Sequence, residues 1–161
     1  MADVRPRKVE GVWHRFIAES HREDADSDRG ALEHGGRYNP RGEFGALYLS
    51  DTDTACRAEM QRRVGIRPRY WHAHIRVRVR KALDLTDAST LDKLGISQAS
   101  LVSMDWLLPQ DIALAARRAG FNALIVPSAA GGHRNVVVFK DLLTGDEAVE
   151  TDRIAAVPEA P

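Results

Sequence analysis

The sequence predicts a single domain of the α+β class, in which several small strands are flanked by helices. Its 161 residues suit one core of ordinary size. Strand-like and helix-like segments alternate irregularly, without the strand–helix–strand repetition that indicates a doubly wound parallel sheet. With 43% hydrophobic and 29% charged residues, the chain has the composition of a globular protein and not of a disordered one.

The strands are predicted from alternation and from short apolar runs. His74–Arg80 alternates strictly, which places Ile75, Val77 and Val79 on one face. Gly45–Ser50 is a shorter strand with Leu47 and Leu49 facing one way and Tyr48 the other. Two apolar runs joined by a glycine-rich loop predict buried strands, Asn122–Val126 and Asn135–Phe139.

The clearest helix is Pro109–Ala119, with Pro in its first turn, Asp111 near its positive end and Gly120 as its stop. A second helix is expected over residues 52–63, after a start at Ser50–Asp53 that resembles a capping box and before Gly65 and Pro68. Shorter helical pieces are expected at Leu91–Leu94 and Ser97–Met104. The polar stretch His21–Arg29 predicts an exposed loop, and the tail Val157–Pro161 is expected to fray.

Charge and cysteine content exclude several classes of protein. Lys plus Arg equals Asp plus Glu at 23 each, which argues against nucleic acid as a direct partner. The single cysteine, Cys56, excludes an internal disulfide and a Cys-rich metal site. No apolar run reaches the length of a membrane span, and the start of the chain lacks the apolar region of a signal peptide. A cytoplasmic protein without a membrane contact is therefore expected.

Three polar clusters are candidates for chemistry. Gly35–Gly42 is a tight, poorly helical segment that can aim Arg37, although a surface turn with a solvated Arg explains the same residues. Glu59 shares a helix face with the small residues Ala55 and Ala58, which leave room for a ligand; the alternative is a solvent-facing Glu paired with Arg62 or Arg63. Ser128 follows an apolar strand and precedes two glycines, as binding residues often do, and a simple turn role is equally compatible.

Other motifs favour structural explanations. His72 and His74 could supply two metal ligands from one strand face, but no third ligand is evident nearby, so no metal site is predicted. Arg76, Arg78 and Arg80 lie on one strand face and are explained by a solvated or protein-binding surface. Neither Gly-x-Gly-x-x-Gly nor a P-loop occurs, and Ser128 lacks the Gly-x-Ser-x-Gly context of a hydrolase nucleophile.

The order of these motifs resembles the RES-domain family of bacterial toxins. The resemblance rests on His14-Arg15-Phe16, on Gly-Gly-Arg37-Tyr-Asn-Pro-Arg-Gly, on Ala-Leu-Tyr48-Leu-Ser, on Ala-x-x-x-Glu59, on Val-Pro-Ser128-Ala-Ala and on Asn135-Val-Val-Val-Phe. It covers residues 11–140 of a single domain spanning 1–161. The Arg, Glu and Ser that give the family its name fall on Arg37, Glu59 and Ser128. Tyr38 stands where many members have Trp, which is a conservative aromatic change.

The resemblance implies a fold similar to the ADP-ribosyltransferase toxins of the diphtheria type, with NAD⁺ as substrate in a cleft between small sheets and no metal. It implies cleavage of the bond between ribose and nicotinamide. Glu59 would stabilise the cationic transition state, Arg15 and Arg37 would hold the pyrophosphate or ribose, and Tyr48, Ser128 and Asn135 would contact the substrate. It also implies an antitoxin that carries a DNA-binding domain and plugs the pocket.

The acceptor of ADP-ribose is not fixed by these residues, because all of them act on the donor. Transfer to a protein is the preferred interpretation, and within the family phosphoribosyl pyrophosphate synthetase is one such target. The alternative is an NAD⁺ glycohydrolase or phosphorylase that depletes cellular NAD⁺. A hypothesis of another class is a non-catalytic module that binds protein or nucleic acid through Arg76, Arg78 and Arg80.

Overall fold

A computed structural model describes residues 1–61 and 69–158, and it places six strands and five α-helices in them. The strands are β1 (Arg7–Ala18), β2 (Leu47–Ser50), β3 (Tyr70–Asp84), β4 (Ala123–Pro127), β5 (Arg134–Val138) and β6 (Ala148–Ala156). The helices are α1 (Arg29–His34), α2 (Asp53–Gln61), α3 (Ala88–Leu94), α4 (Gln98–Leu101) and α5 (Leu107–Arg118), with 3₁₀ turns at Glu19–Asp24 and Lys140–Leu142.

All six strands belong to one sheet, in the order β1-β2-β5-β4-β3-β6. The pairing of β1 with β3 closes this sheet into a ring of five strands, while β6 lies along β3 outside the ring. β3 and β4 form the one parallel pair in the described residues, and the chain between them contains α3, α4 and α5. The ring is weakest between β1 and β2, which meet at the single pair His14–Ser50.

Alternation along the strands divides the apolar side chains into two cores. One core draws on every strand and fills the ring, with Leu47, Leu49, Val77 and Val79 among its members. The other lies between the outer face of β4 and β5 and the helices, and it includes Leu124, Val137, Ile112 and Phe139. Tyr48 packs against this second core, so the predicted split between Leu47 and Leu49 on one face and Tyr48 on the other is confirmed.

The predicted α+β class is confirmed, and the differences lie in the bounds and in two missed strands. The alternating strand extends well beyond His74–Arg80 at both ends, because β1 and β6 supply hydrogen-bond partners along its length. Neither β1 nor β6 was predicted from the sequence. Both strands have few buried side chains, and a strand stabilised by pairing with its neighbours carries a weak apolar pattern of its own.

Two local predictions are corrected. The segment His21–Arg29 is not simply an exposed loop: its first part is in the 3₁₀ turn, and Ala25 is buried in the ring core. Helix α2 is capped by Thr52, whose hydroxyl accepts from the Ala55 amide at 3.0 Å, while Ser50 is the last residue of β2. The predicted helix end at Arg63 lies outside the described residues. Within the described part of the chain, no helix is long and apolar enough to cross a membrane.

Candidate active site

One cavity brings together five of the six predicted site residues. It has a volume of about 980 Å³, near the upper end of the range for small-molecule and cofactor sites. Its wall includes Arg15, Arg37, Tyr48, Glu59 and Asn135, contributed by β1, the segment before β2, β2, α2 and β5. A second cavity of about 620 Å³, against Met1 and α5, contains none of the predicted residues.

Glu59 is held in place by two side chains that are distant in sequence. Its Oε1 accepts a hydrogen bond from the Ser128 hydroxyl at 2.9 Å and another from the Asn135 side-chain amide at 2.7 Å. No hydrogen bond to Oε2 comes from the described residues, and Glu59 lines the cavity. The carboxylate is therefore fixed by one oxygen while the other can face a ligand.

Ser128 was predicted to contact substrate, and the structure places its hydroxyl against Glu59. Ser128 is only 3% exposed and is not among the residues that line the cavity. Its hydroxyl donates to Glu59 and accepts from the Ala130 amide at 3.2 Å. A hydroxyl held in this way can orient the carboxylate, and its contact with a substrate stays a prediction.

Tyr48 presents its ring to the cavity while its hydroxyl is occupied. The hydroxyl donates to Asn39 Oδ1 at 2.6 Å and accepts from the Tyr38 amide at 3.0 Å. Burial raises the pKa of Tyr48 well above its ordinary value, so the phenol stays protonated. Tyr48 thus anchors the loop that carries Arg37, and the face of its ring is the part that can contact a ligand.

Arg37 is oriented by the segment between α4 and α5. One guanidinium nitrogen, Nη1, donates to the carbonyl oxygens of Leu101 and Ser103. The guanidinium also lies over the Trp106 ring, 5.8 Å from its centroid. Two of its five N–H donors are used in this way, and the other three make no hydrogen bond within residues 1–61 and 69–158 and suit an anionic ligand.

Arg15 is a second, partly buried cation in the lining of the cavity. Its Nη1 donates to the carbonyl oxygens of Ala25 at 2.7 Å and Ser27 at 3.0 Å. Burial lowers the pKa of Arg15, and the carboxylates of Asp24, Asp26 and Asp28 act in the opposite direction. Because the ordinary value is so high, the group is a cation at neutral pH and adds positive charge to the cavity wall.

Several side chains that shape this site were not predicted from the sequence. Asn39 and Gln110 fix the loop of Arg37: Asn39 Nδ2 donates to the carbonyls of Ala31 and Phe44, and Gln110 Nε2 donates to the carbonyl of Gly36 at 2.9 Å. Trp106 supplies the aromatic surface under Arg37. The sequence shows an Asn within a Gly-rich turn, Asn39, and a Trp immediately before a helix, Trp106. Neither pattern indicates which residue the side chain contacts, and only the tertiary structure does so.

The expectation of no metal site rested on the absence of a third ligand near His72 and His74. In the structure β1 pairs with β3 so that His14 lies opposite His74. One ring nitrogen from each of His14, His72 and His74 lies within 4.8 Å of the other two. The prediction that no third ligand lies near His72 and His74 was therefore wrong, and these three residues could hold a metal ion.

The positively charged strand face is neutralised by neighbouring carboxylates. Arg76 pairs with Asp152 at 3.2 Å, Arg78 lies 3.6 Å from Asp146 and 3.7 Å from Glu10, and Arg80 also pairs with Asp146. A face paired in this way presents little net charge to nucleic acid.

Comparison with known proteins gives concordant results. The model of the RES domain family matches residues 12–157. A Mycobacterium tuberculosis protein named probable NAD(+) phosphorylase Rv3189 is 37% identical over 129 residues, which cover 76% of this chain and 60% of that protein. NAD(+) phosphorylase MbcT of Mycobacterium bovis is 31% identical over 117 residues, covering 67% of this chain and 63% of MbcT. The chain therefore spans less than two thirds of the length of these relatives.

A solved structure is similar over almost the whole chain. The crystal structure of the M. tuberculosis MbcT–MbcA toxin–antitoxin complex superposes with a TM-score of 0.79 at 25% sequence identity. The match covers 94% of this chain and 86% of the other. The arrangement of one sheet with flanking helices is thus shared with MbcT.

Proposed function

The chain belongs to the RES domain family, and on that premise we propose that it is an enzyme that cleaves NAD⁺ with inorganic phosphate as the acceptor. The single observation that carries this proposal is the fixed Glu59 carboxylate at the wall of a cofactor-sized cavity that also holds two arginines. The names of the relatives, NAD(+) phosphorylase in each case, support phosphate as the acceptor.

The proposed reaction breaks the bond between the anomeric carbon of the nicotinamide ribose and the pyridinium nitrogen. The bonding electron pair leaves with nicotinamide, which becomes neutral, and positive charge develops on the ribose as in glycoside hydrolysis. A phosphate oxygen then forms the new bond to the same carbon. Glu59 would stabilise the developing charge through Oε2, with Ser128 and Asn135 holding Oε1 so that little reorganisation is needed.

The two arginines would bind the anionic parts of the reactants. Arg37 and Arg15 each use Nη1 for backbone carbonyls, which fixes the plane of the guanidinium before substrate arrives. Their remaining N–H groups suit the paired oxygens of a pyrophosphate or a phosphate. Tyr48 would contribute ring contact to the nicotinamide ribose.

Transfer of ADP-ribose to a protein, the acceptor preferred from the sequence, receives less support than phosphorolysis. The same donor-binding residues serve both reactions, but the relatives are named for the phosphate reaction. A fold relation to the diphtheria-type ADP-ribosyltransferase toxins belongs to the proposal as well. Comparison of the strand order found here with that of such a toxin tests it.

We also propose that the chain is the toxin of a toxin–antitoxin pair and acts in the cytoplasm, where its substrate is found. The structural relative is the toxin of such a complex, which supports a protein partner for this chain. The partner is proposed to carry a DNA-binding domain and to place an inhibitory segment in the cavity near Arg15 and Arg37.

The test is incubation of the purified, untagged chain with NAD⁺ in a phosphate-free buffer, with and without added phosphate. Chromatography should show nicotinamide release that depends on phosphate, and phosphorus NMR should show a phosphorylated ADP-ribose. A Glu59→Gln preparation is the control for contaminating activity. Nicotinamide release that is independent of phosphate indicates a glycohydrolase, a labelled protein band in cell extract indicates a transferase, and no release at all contradicts an enzymatic role.

A further inference from the structure

Three of the six histidines in the chain meet at one place in the fold. His72 and His74 project from the same face of β3, since they are two residues apart on a strand. The antiparallel register places His14 of β1 directly opposite His74. The histidine cluster, defined as His14, His72 and His74, is thus built from adjacent, hydrogen-bonded strands, which are rigid supports for a site.

The rings are close enough to share one small ligand. His14 Nδ1 lies 2.8 Å from His72 Nε2, and the ring centroids of His72 and His74 are 4.2 Å apart. The centroid of His14 lies 5.0 Å from that of His72 and 5.1 Å from that of His74. His14 also lines the 980 Å³ cavity, so the cluster can be reached from it.

One nitrogen of the cluster has no hydrogen-bond partner among the described residues. Arg153 Nη2 lies 3.1 Å from His74 Nε2, and because Arg can only donate, Nε2 accepts. The other ring nitrogen, Nδ1, is buried and has no hydrogen-bond partner in the described part of the chain. Such an atom is unfavourable in a protein interior, and a metal ion bound through the Nδ1 lone pair, with the ring proton on Nε2 and Arg153 turned away, would satisfy it.

We propose that His14, His72 and His74 bind a divalent transition-metal ion of the zinc class, leaving a coordination position for water or an anion. Neutral imidazole suits Zn²⁺ and its neighbours in the first transition row, and three histidines with an open position are an established zinc ligand set. Mg²⁺, which prefers oxygen ligands, should not bind. The proposal is independent of the proposed function, because it assigns no step of NAD⁺ cleavage to these side chains.

Binding requires ring movements of up to about 1.5 Å, because the three ligand nitrogens lie within 4.8 Å of one another. Tetrahedral coordination at the usual zinc–nitrogen distance separates ligand nitrogens by about 3.3 Å. The His14–His72 pair, now 2.8 Å apart, would open by roughly half an ångström. Arg153 would turn away from His74, and its exposed side chain allows this.

The experiment is isothermal titration of the untagged, metal-free chain with Zn²⁺, with Mg²⁺ as the negative control. We expect one Zn²⁺ per chain at micromolar affinity or tighter, and about a 100-fold weaker affinity in each of His14→Gln, His72→Gln and His74→Gln. His34→Gln, which changes an exposed histidine of α1, is the matched control and should leave the affinity unchanged. Arg153→Gln should strengthen binding about threefold, because it removes a positive charge beside the ion.

A measurement on the unaltered protein keeps the test valid if a histidine variant fails to fold. X-ray absorption of the Zn²⁺-loaded chain should show three imidazole ligands and no sulfur, which also excludes Cys56. Absence of stoichiometric Zn²⁺ binding, fewer than two imidazoles, or equal affinity in the parent and all three cluster variants would overturn the proposal.

Discussion

A single oxygen of Glu59 accepts both hydrogen bonds that the described residues donate to this carboxylate. Ser128 and Asn135 each donate to Oε1, and this arrangement makes the orientation of the carboxylate depend on both neighbours. Ser128 is buried, so it could act in the reaction through Glu59 instead of contacting substrate itself. That distinction between a residue that contacts substrate and one that positions another residue can be measured.

Glu59→Gln should reduce NAD⁺ turnover by at least about 100-fold, because it removes the charge and preserves the shape. Ser128→Ala should reduce kcat by about tenfold with a smaller change in KM, since the carboxylate stays but loses a donor. The decisive measurement is the double variant. If Ser128 acts through Glu59, adding Ser128→Ala to Glu59→Gln costs little further activity. Independent, multiplying effects would contradict the positioning role.

Arg37 contacts backbone carbonyls of the protein and is proposed to contact NAD⁺ as well. Substitutions at this position should separate the two roles. Arg37→Ala should weaken NAD⁺ binding by about 10- to 100-fold, the scale of a lost charged hydrogen bond. It should also lower the free energy of unfolding by about 1 kcal/mol, since the carbonyls of Leu101 and Ser103 lose a donor. Arg37→Lys keeps the charge and loses the planar fork, so recovery should be partial. Full binding in Arg37→Lys, measured by titration, would place Arg37 outside the substrate contacts.

At the scale of the element, the turn between α1 and β2 is as important as any single side chain. Gly36 packs under Tyr48, so that a Cβ built on it would lie 2.6 Å from the Tyr48 hydroxyl oxygen and 2.8 Å from Asn39 Oδ1. These atoms form the hydrogen-bonded pair that anchors the loop of Arg37. The glycine is therefore required by close approach between the backbone and Tyr48, and not by its φ angle.

Gly36→Ala should destabilise the fold by about 1–3 kcal/mol through overpacking, and it should also reduce NAD⁺ binding by displacing Arg37. Gly30→Ala in α1 is the matched control, because nothing lies within 4 Å of its added Cβ. That variant should be neutral or more stable by about 0.5–1 kcal/mol, as expected for Ala replacing Gly in a helix. Chemical denaturation measures both; equal stability of the two variants would contradict the packing argument.

At the scale of the whole molecule, the cavity lies beside the weakest part of the ring. β1 and β2 share one residue pair, and the cavity is lined by both strands together with α2. Among the described residues, its charged lining consists of Arg15, Arg29, Arg37, Asp24, Glu33 and Glu59. An acidic group or a chain terminus of a partner is complementary to the arginines among them. If NAD⁺ binds in this cavity as proposed, an inhibitor bound there would exclude it directly, without a conformational change elsewhere.

The proposed antitoxin is therefore expected to compete with NAD⁺. The measurement uses a catalytically inactive variant such as Glu59→Gln. Raising the NAD⁺ concentration should weaken its apparent affinity for the antitoxin in proportion to the fraction of the variant that has NAD⁺ bound. Fluorescence anisotropy of a labelled antitoxin segment measures this shift. A complex that binds NAD⁺ with unchanged affinity would contradict the plug and favour inhibition at a distant face such as Arg76–Arg80.

The sequence by itself determined the features that depend on near neighbours along the chain. Strict alternation around Val77 specifies a strand locally. Pro109 near the start and Gly120 after the end of α5 specify a helix, and the structure contains this strand and this helix. The family motifs, each a short local pattern, identified membership in the RES domain family. β1 and β6 were not predicted from the sequence, because their stability comes from pairing with β3 and not from an apolar pattern of their own.

Only the tertiary structure decided which side chains meet. Glu59 contacts Ser128 and Asn135 across 69 and 76 residues of sequence, and His14 reaches His72 across 58. Such contacts follow from strand register and from the packing of a helix on the sheet, which are set by the whole core and not by local spacing. For this reason, Glu59 and Ser128 were predicted from the sequence as separate candidates. A metal site at His72 and His74 was not predicted, because the third histidine, His14, lies on another strand.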